Sequence, residues 1–224
     1  PAMLSPAAVR FLLHEYLSRG DARLRPTLEA GLTRGLAAAA EAGADPCTRI
    51  EWLRALADAA AVVESDAVGA AVADGLPAAV DALEALVRGS YEPGEGLLAA
   101  TCAGHVCCAS ALLAAFDLTG RVPYAMLAEE LLQHARHRWW REPPGRYDAD
   151  FRTNCTALDA LCRLAVLRAD PDYQGLVRAP GQSYAADASA LAREVHARSV
   201  DHPGDAGHYG GAMCSWFAFE PDLH

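Results

Sequence analysis

A helix–turn–helix pattern that recurs about every 50 residues is the feature that most constrains the fold of this chain. Residues 111–125 align with residues 160–174 at an offset of 49, so that Tyr124 falls on Tyr173. Residues 11–24 fit the same frame at an offset of about 100. A pair of helices cannot bury its apolar face alone, so neighbouring pairs must stack or close into a ring. The repeat predicts an all-α fold of stacked helical hairpins.

Glycine, proline and aspartate residues interrupt the apolar periodicity and predict where helices end. Ser5 and Pro6 offer an N-cap and a first helical residue. Gly75 and Pro77 predict a break or kink in the fourth helix. The pattern predicts helices over about residues 6–19, 22–42, 46–63, 68–87, 101–119, 123–140, 153–168 and 184–199, and a last short helix in the glycine-rich tail.

Composition and charge limit the classes of partner. The chain has 224 residues, of which 52% are hydrophobic, so it is expected to form a single domain over residues 1–224 with a sizeable core. The net charge of −10 argues against a nucleic-acid binder, which needs a basic face. Because no charged and then apolar leader opens the chain, we expect a cytoplasmic protein. Its seven cysteines show no disulfide pattern and are expected to stay reduced.

The segment from Thr101 to Gly120 carries one histidine and three cysteines within eight residues. Cys102, His105 and Cys108 lie near one helical face and could hold zinc if a second element supplied further ligands. Free cysteine, however, usually packs as a small buried apolar residue. The segment is also free of charge from residue 96 to residue 116, yet its polar residues and glycines favour a core helix over a membrane span. We therefore predict core packing, with no metal and no cofactor.

Three segments carry a resemblance to a known family. They are FLLHEYLSRGDARLRPTLEAGL, RWWREPPGRYDADFRTNCTALDALCRLAVLRADPDY and HPGDAGHYGGAMCSW. They resemble the α/α-toroid proteins, which include the six-hairpin glycosidases and the N-acylglucosamine 2-epimerase-like proteins. They are most similar to the helical part of the thioredoxin-domain-containing proteins related to spermatogenesis-associated protein 20. The resemblance implies an (α/α) toroid, or an incomplete one, because only four hairpins are recognisable. In the region after the first hairpin, which is rich in aromatic residues in that family, this chain offers only Glu51 and Trp52.

The resemblance also implies where a site would lie. Such toroids place substrate contacts in the loops before the inner helices and a polar residue at the mouth of each inner helix. The candidate catalytic residues are Glu92, His105 and Asp148, and the candidate substrate-binding residues are Tyr91, Tyr147 and Asn154. The alternative is that the loop acids are solvated turn residues. His105 aligns with Asn154 and, at an offset of 100, with Ser5, and these three could equally cap helices and link hairpins.

Two further groups of residues resemble arrangements that other toroid proteins use, one for proton transfer and one for zinc binding. Epimerase-like toroids use paired histidines for proton transfer, but His134 and His137 lie on one helix here and are predicted to end an outer helix. Lanthionine-cyclase-like toroids bind zinc through separated Cys and His residues, which here would be His105, Cys155 and Cys214. That set requires the fold to bring the three together.

Two functions follow from these observations, and whether the chain is an enzyme stays open. The first is a six-hairpin-glycosidase-like protein that binds or acts on a carbohydrate in a central cleft. The alternative is a non-catalytic helical scaffold that binds a protein partner. No P-loop, dinucleotide fingerprint, HExxH or GxSxG motif is present, so nucleotide and classical serine hydrolysis are unsupported. An open, polar and aromatic-lined cavity favours the first function, and an alanine-filled centre favours the second.

Overall fold

In a computed structural model of the chain, the described residues are 4–41, 43–63, 65–176 and 183–219, and they form an all-α fold as predicted. The helices are α1 (Pro6–Arg19), α2 (Arg25–Ala40), α3 (Pro46–Val63), α4 (Asp66–Ser90), α5 (Cys102–Thr119), α6 (Val122–Trp139), α7 (Phe151–Ala169), α8 (Pro171–Leu176), α9 (Tyr184–Arg198) and α10 (Ala206–Phe219). Short 3₁₀ turns precede α2 and α10.

Most helix ends follow the signals in the sequence. The side chains of Ser5 and Thr101 accept hydrogen bonds from backbone N–H groups in the first turns of α1 and α5. Gly20 and Gly120 follow the last residues of these helices in the left-handed conformation, with φ of 62° and 69°. A residue without a Cβ atom adopts this conformation at little cost, which is why these glycines terminate the helices.

Two boundaries differ from the prediction. The α4 helix continues through Pro77 without a break, because the proline and the residue four positions earlier, Ala73, both lie on the exposed side. The carbonyl that the proline leaves without a donor therefore faces water. The second helix begins at Arg25 rather than at residue 22, since a 3₁₀ turn capped by Asp21 occupies the intervening residues.

Five helices contact one another in a closed cycle. The α3 helix packs between α1 and α5, α7 packs between α5 and α10, and α10 packs against α1. We call these five the inner helices. They run in the same direction, as contacts of α7 with α10 illustrate. Arg152 pairs with Asp205, just before α10, and Asp159, about two turns further along α7, pairs with Ser215 in the third turn of α10. The α2, α4, α6 and α9 helices each pack against one or two of the inner helices.

Two small β-hairpins precede α5 and α7. The first pairs β1 (Tyr91–Glu92) with β2 (Gly96–Leu97), and the second pairs β3 (Trp140–Arg141) with β4 (Arg146–Tyr147), both antiparallel. The two lie at the repeat offset of 49 to 50 residues. From the sequence both segments were predicted as loops, since two-residue strands are too short to give a period-two pattern.

The α5 helix is the centre of the core. Cys102 and Cys108 are 5% and 1% exposed, as expected for core cysteines, whereas Cys107 is exposed on the opposite side. All seven cysteines are free thiols. The α5 helix is long and apolar enough to cross a membrane, but 61% of it is buried against the rest of the chain, as in core helices of soluble proteins. Leu98, which precedes the helix, is 55% exposed.

Glycines close the cycle where α10 meets α1. A Cβ atom on Gly207 would lie 2.5 Å from the Cβ and 3.0 Å from the Cα of Ala8. A Cβ atom on Gly210 would lie 2.7 Å from the ring of Phe11. The two helices can therefore approach this closely only because these positions lack side chains.

We expect Gly207→Ala to destabilise the protein by about 1–3 kcal/mol, because the added methyl group meets the Ala8 backbone and forces the two helices apart. Gly69→Ala in α4 is the matched control: its site is exposed and open, so the better helix former is expected to stabilise by about 0.5–1 kcal/mol. Urea unfolding of both variants measures the two effects. A change of the same sign in both would contradict close packing at the seam.

Candidate functional site

The inner helices surround a cavity of about 1000 Å³. Its lining is rich in charged and hydroxyl groups from all five helices. The charged residues are Arg10, Asp45, Glu51, Arg54, Asp58, Asp117, Asp150, Arg152 and Asp159, and the hydroxyl residues are Ser5, Thr48, Ser110, Thr153, Thr156 and Ser215. Among the described lining residues, Phe11, His14 and His208 supply the rings. The described lining therefore combines these polar groups with apolar side chains such as Leu13, Val62 and Leu118, and it contains a single phenyl ring and no indole or phenol.

Asp159 is the centre of an ion-pair network on the cavity wall. Its carboxylate lies 3.4 Å from Arg54, 3.6 Å from Arg163 and 3.8 Å from Arg10. The hydroxyl of Ser215 donates a hydrogen bond to it at 2.5 Å. One carboxylate from α7 thus connects α1, α3 and α10 across the cavity.

The electrostatics of Asp159 favour the ionised form. Burial by itself would raise its pKa, but the guanidinium groups of Arg54, Arg10 and Arg163 outweigh burial and hold the pKa well below its usual range. Burial and the neighbouring Arg54 lower the pKa of Arg163. At neutral pH Asp159 can accept hydrogen bonds but cannot donate a proton, so it is suited to binding and not to general acid chemistry.

Glu51 lies on α3 in the same cavity. It accepts a hydrogen bond of 2.5 Å from the hydroxyl of Ser110 on α5. Within the part of the chain that the structure describes, it forms no ion pair within 4 Å. A carboxylate with one hydroxyl partner is free to accept further hydrogen bonds from a ligand.

Cysteine thiols line the cavity as well, at Cys47, Cys107, Cys155 and Cys214. Cys107 is exposed to the cavity, and desolvation by the surrounding protein raises the pKa of its thiol to about 11; burial raises the pKa of Cys102 to about 12, so both stay protonated at neutral pH. In the described residues, no group of three or more histidine, cysteine or acidic side chains is arranged to hold a metal ion. In the described residues, therefore, neither of the two sets considered from the sequence forms a metal site: Cys102, His105 and Cys108, or His105, Cys155 and Cys214.

The six candidate residues from the sequence lie outside this cavity. Tyr91 and Glu92 form β1, Tyr147 ends β4, and Asp148 follows it. Glu92 and Asp148 are exposed, and Asp148 pairs with Arg141 at 2.9 Å. Tyr147, in contrast, is completely buried, and burial raises the pKa of its hydroxyl. The structure brings Tyr147 and Asn154 together but separates them from Glu92.

His105 and Asn154 each bind the β-hairpin that precedes their helix. The N–H of Leu97 donates to Nε2 of His105 at 3.0 Å, and Nδ1 of the same ring lies 3.0 Å from the carbonyl oxygen of Thr101. The N–H of Tyr147 donates in the same way to Oδ1 of Asn154 at 3.0 Å. The predicted equivalence of His105 and Asn154 is therefore reproduced as a hairpin anchor. Neither residue caps a helix.

Ser5, the third member of that predicted set, does cap a helix. It caps α1, as Thr101 caps α5 and Asp150 caps α7. The reason is the length of α1, which has 14 residues where α5 has 18, so that α1 begins one turn later in the repeat.

His105 stacks on His134, which the sequence analysis assigned to the end of an outer helix. The ring centroids are 4.9 Å apart with an interplanar angle of 13°, and Trp139 lies 5.1 Å from His105. A Cβ atom at Gly96 would lie 2.6 Å from Nε2 of His105, so β2 covers the ring directly. Two histidines do face each other here, but they are in stacking contact and leave no space for a substrate between them.

Of the charged residues that line the cavity, Glu51 was noted from the sequence only as one of two candidates after the first hairpin, and Asp150 only as an acid of the loop before α7. The others were not predicted to lie at a site. A signal was present: Glu51, Arg54 and Asp58 recur at i, i+3 and i+7 along a helix whose other residues are mostly apolar. Charges at this spacing on a core helix indicate a buried polar face, because isolated charges are costly to bury.

The charge state of two histidines makes stability depend on pH. We expect the free energy of unfolding to fall as the pH drops below about 6.5, the ordinary pKa of histidine. Burial lowers the pKa of His105 and of His208 in the folded state, so the unfolded chain binds more protons in this range. Each such proton contributes a slope of up to about 1.4 kcal/mol per pH unit, and above that range both states are neutral. Urea unfolding between about pH 8 and pH 5 measures the slope.

His105→Asn tests the contribution of His105, because Asn154 anchors the second hairpin with a group that does not titrate. We expect this variant to reduce the slope, whereas His137→Asn on the exposed end of α6 is expected to leave it unchanged. An unchanged slope in His105→Asn would contradict the assignment.

A comparison of the chain with models of protein families, with curated proteins and with solved structures finds no significant match. The function therefore has to be argued from the cavity and its residues.

Proposed function

We propose that the chain is an α/α-toroid protein and that its central cavity binds a small polyhydroxylated ligand of the carbohydrate class. The observation that carries this proposal is the cavity of about 1000 Å³ at the centre of the inner helices, lined by carboxylate, guanidinium and hydroxyl groups. The closed cycle of helix contacts and the repeated β-hairpins support the toroid. The volume lies at the upper end of the range typical of small-molecule sites.

The chemistry of the lining supports a ligand rich in hydroxyl groups. A hydroxyl group both donates and accepts, so it can bond to a carboxylate such as Glu51 and to a side-chain hydroxyl such as Thr156. Phe11 offers one ring face to the apolar C–H groups of a sugar. The prevalence of ionised groups over aromatic rings favours polar recognition over stacking.

A thermal-shift screen with mono- and oligosaccharides tests the proposal. A ligand present at 100 times its dissociation constant stabilises by about 2.7 kcal/mol, which raises the melting temperature of a chain of this size by several degrees. Cys107→Phe places a bulky side chain where Cys107 is exposed to the cavity, and we expect it to abolish the shift. Met126→Phe on the exposed surface of α6 is the matched control and is expected to keep it.

Glu92→Gln separates the cavity from the loop site that the sequence suggested. If the ligand binds in the cavity, this variant keeps the full shift. A shift lost in Glu92→Gln and kept in Cys107→Phe would move the site to the β-hairpins. The absence of a shift with every sugar at millimolar concentration would overturn carbohydrate binding.

The alternative function, a non-catalytic scaffold for a protein partner, is favoured by a separate observation. Large apolar side chains are exposed near the carboxyl ends of three inner helices: Leu17 is 60% exposed, Val166 58% and Phe217 42%. Exposed apolar residues that share one end of a fold are typical of interaction surfaces. A negative sugar screen would leave this function as the better-supported one.

A further inference from the structure

The charges that line the cavity are unequal. The described lining contains six carboxylates and three guanidinium groups. Burial lowers the pKa of His208, so its ring adds no positive charge at neutral pH. Since the cavity is surrounded by protein, where charges are less screened than in bulk water, this excess of negative charge opposes the entry of an anion and favours a cation.

The guanidinium groups are already engaged by carboxylates of the chain. The ion pairs are Arg10–Asp58 at 2.8 Å, Arg54–Asp117 at 3.2 Å and Arg152–Asp205 at 2.6 Å. An anionic ligand would have to displace one of these pairs, and it would gain little net charge attraction by doing so.

Most of the carboxylates are engaged as well. Asp45 and Asp150 cap α3 and α7 through the backbone and side chains of Thr48 and Thr153. Asp58, Asp117 and Asp159 belong to the arginine network. Asp45, Asp150 and Glu51 all lack a cationic side chain within 4 Å in the described residues, but each aspartate accepts hydrogen bonds from both the backbone N–H and the hydroxyl of a threonine, whereas Glu51 accepts one, from Ser110. Of these three carboxylates, Glu51 therefore has the most capacity left to bind a cationic group of a ligand.

We infer that the ligand carries a protonated amine beside its hydroxyl groups and that Glu51 binds this amine. The inference rests on the proposed carbohydrate-binding function and adds the charge of the ligand to it. A hydrogen bond between an ammonium group and a carboxylate is about twice as strong as one between neutral groups. Glu51 thus determines specificity, and the remaining polar lining contacts the hydroxyl groups.

Glucose and two sugars that each differ from it at one position test this inference on the unmodified chain. They are glucosamine, glucose and glucuronate, titrated calorimetrically at about pH 6.5 and low ionic strength. We expect glucosamine to bind about 10-fold or more tightly than glucose, and glucuronate to bind most weakly. The preference for glucosamine is expected to shrink as salt is added, because part of it is electrostatic.

Glu51→Gln assigns the preference to one residue. The amide keeps the shape and the hydrogen bond with Ser110 but lacks the charge, so we expect the glucosamine preference to fall to about 1-fold while glucose binding changes by less than about 3-fold. Glu92→Gln removes the same charge outside the cavity and is expected to preserve the preference.

The outcomes separate this inference from the function on which it rests. Glucose binding as tightly as glucosamine, or glucuronate binding most tightly, overturns the amine and leaves carbohydrate binding intact. A preference that survives Glu51→Gln overturns the role of Glu51. If none of the three probes and no sugar of the wider screen binds, the proposed function and the inference both fail.

Discussion

Asp159→Asn is expected to destabilise the protein by about 3–5 kcal/mol, one of the two largest effects of a single substitution that we anticipate. The asparagine keeps the shape of the side chain and a partner for Ser215 but removes the charge. Arg10, Arg54 and Arg163 then keep as counter-charges only Asp58 and Asp117, whose side chains are 44% and 40% exposed. Because Asp159 is largely buried, water cannot replace the lost carboxylate, and the repulsion among the arginines is only weakly screened.

Asp58→Asn is the matched control for this prediction. Asp58 pairs with the same Arg10 at 2.8 Å, a shorter distance than that of Asp159, but its side chain is 44% exposed. An exposed ion pair contributes little, so we expect a loss of at most about 1 kcal/mol. Urea unfolding of both variants decides the matter. Similar small losses in the two would show that the network around Asp159 is not what holds the inner helices together.

Glu129→Gln is expected to cost a similar 3–5 kcal/mol, through a different part of the fold. Glu129 on α6 is 2% exposed and accepts a hydrogen bond of 2.6 Å from Nε of Arg168 on α7. The hydroxyl groups of Tyr184 on α9 and Tyr173 on α8 donate to it at 2.8 Å and 3.2 Å. One carboxylate thus joins four helices, and its neutralisation leaves the Arg168 charge buried without a counter-charge.

Glu84→Gln supplies the control, because Glu84 also accepts a hydrogen bond from a tyrosine, Tyr124, and lies 3.7 Å from an arginine, Arg121. Its side chain is 39% exposed, so its loss is expected to stay below about 1 kcal/mol. A double variant of Glu129→Gln with Arg168→Met removes both charges and is expected to recover part of the stability measured by urea unfolding. Strict additivity of the two substitutions would mean that the pair does not act as a unit.

The sequence predicted the local structure well where the signals are short-range. The Ser5 cap of α1, the glycines that end α1 and α5, and the repeat of 49 residues follow from residues near one another in the chain. The β-hairpins were not predicted, because each strand has two residues and depends on a side chain seven or eight residues further on. His105 and Asn154 supply those side chains.

The residues around the central cavity are brought together by contacts between distant parts of the chain, which no local sequence pattern encodes. The loop residues Tyr91, Glu92 and Asp148 were chosen for their chemistry and for the family resemblance, and they lie outside the central cavity. Asp159 pairs with Arg10 and Arg54, which are 149 and 105 residues away in the chain. Such pairs form only after the helices have packed, so the spacing of charges along one helix can indicate a polar face but cannot identify its partners.

By itself, then, the sequence determined most of the helices, many of their ends and their recurrence as a repeat, since propensity, capping and apolar periodicity act over a few residues, but it did not predict α8. Tertiary structure alone decided that α10 closes the cycle against α1 and that the polar faces of five helices meet around a cavity. The physical reason is that burying a charge is favourable only when its partners are in place. Those partners come from every part of the chain.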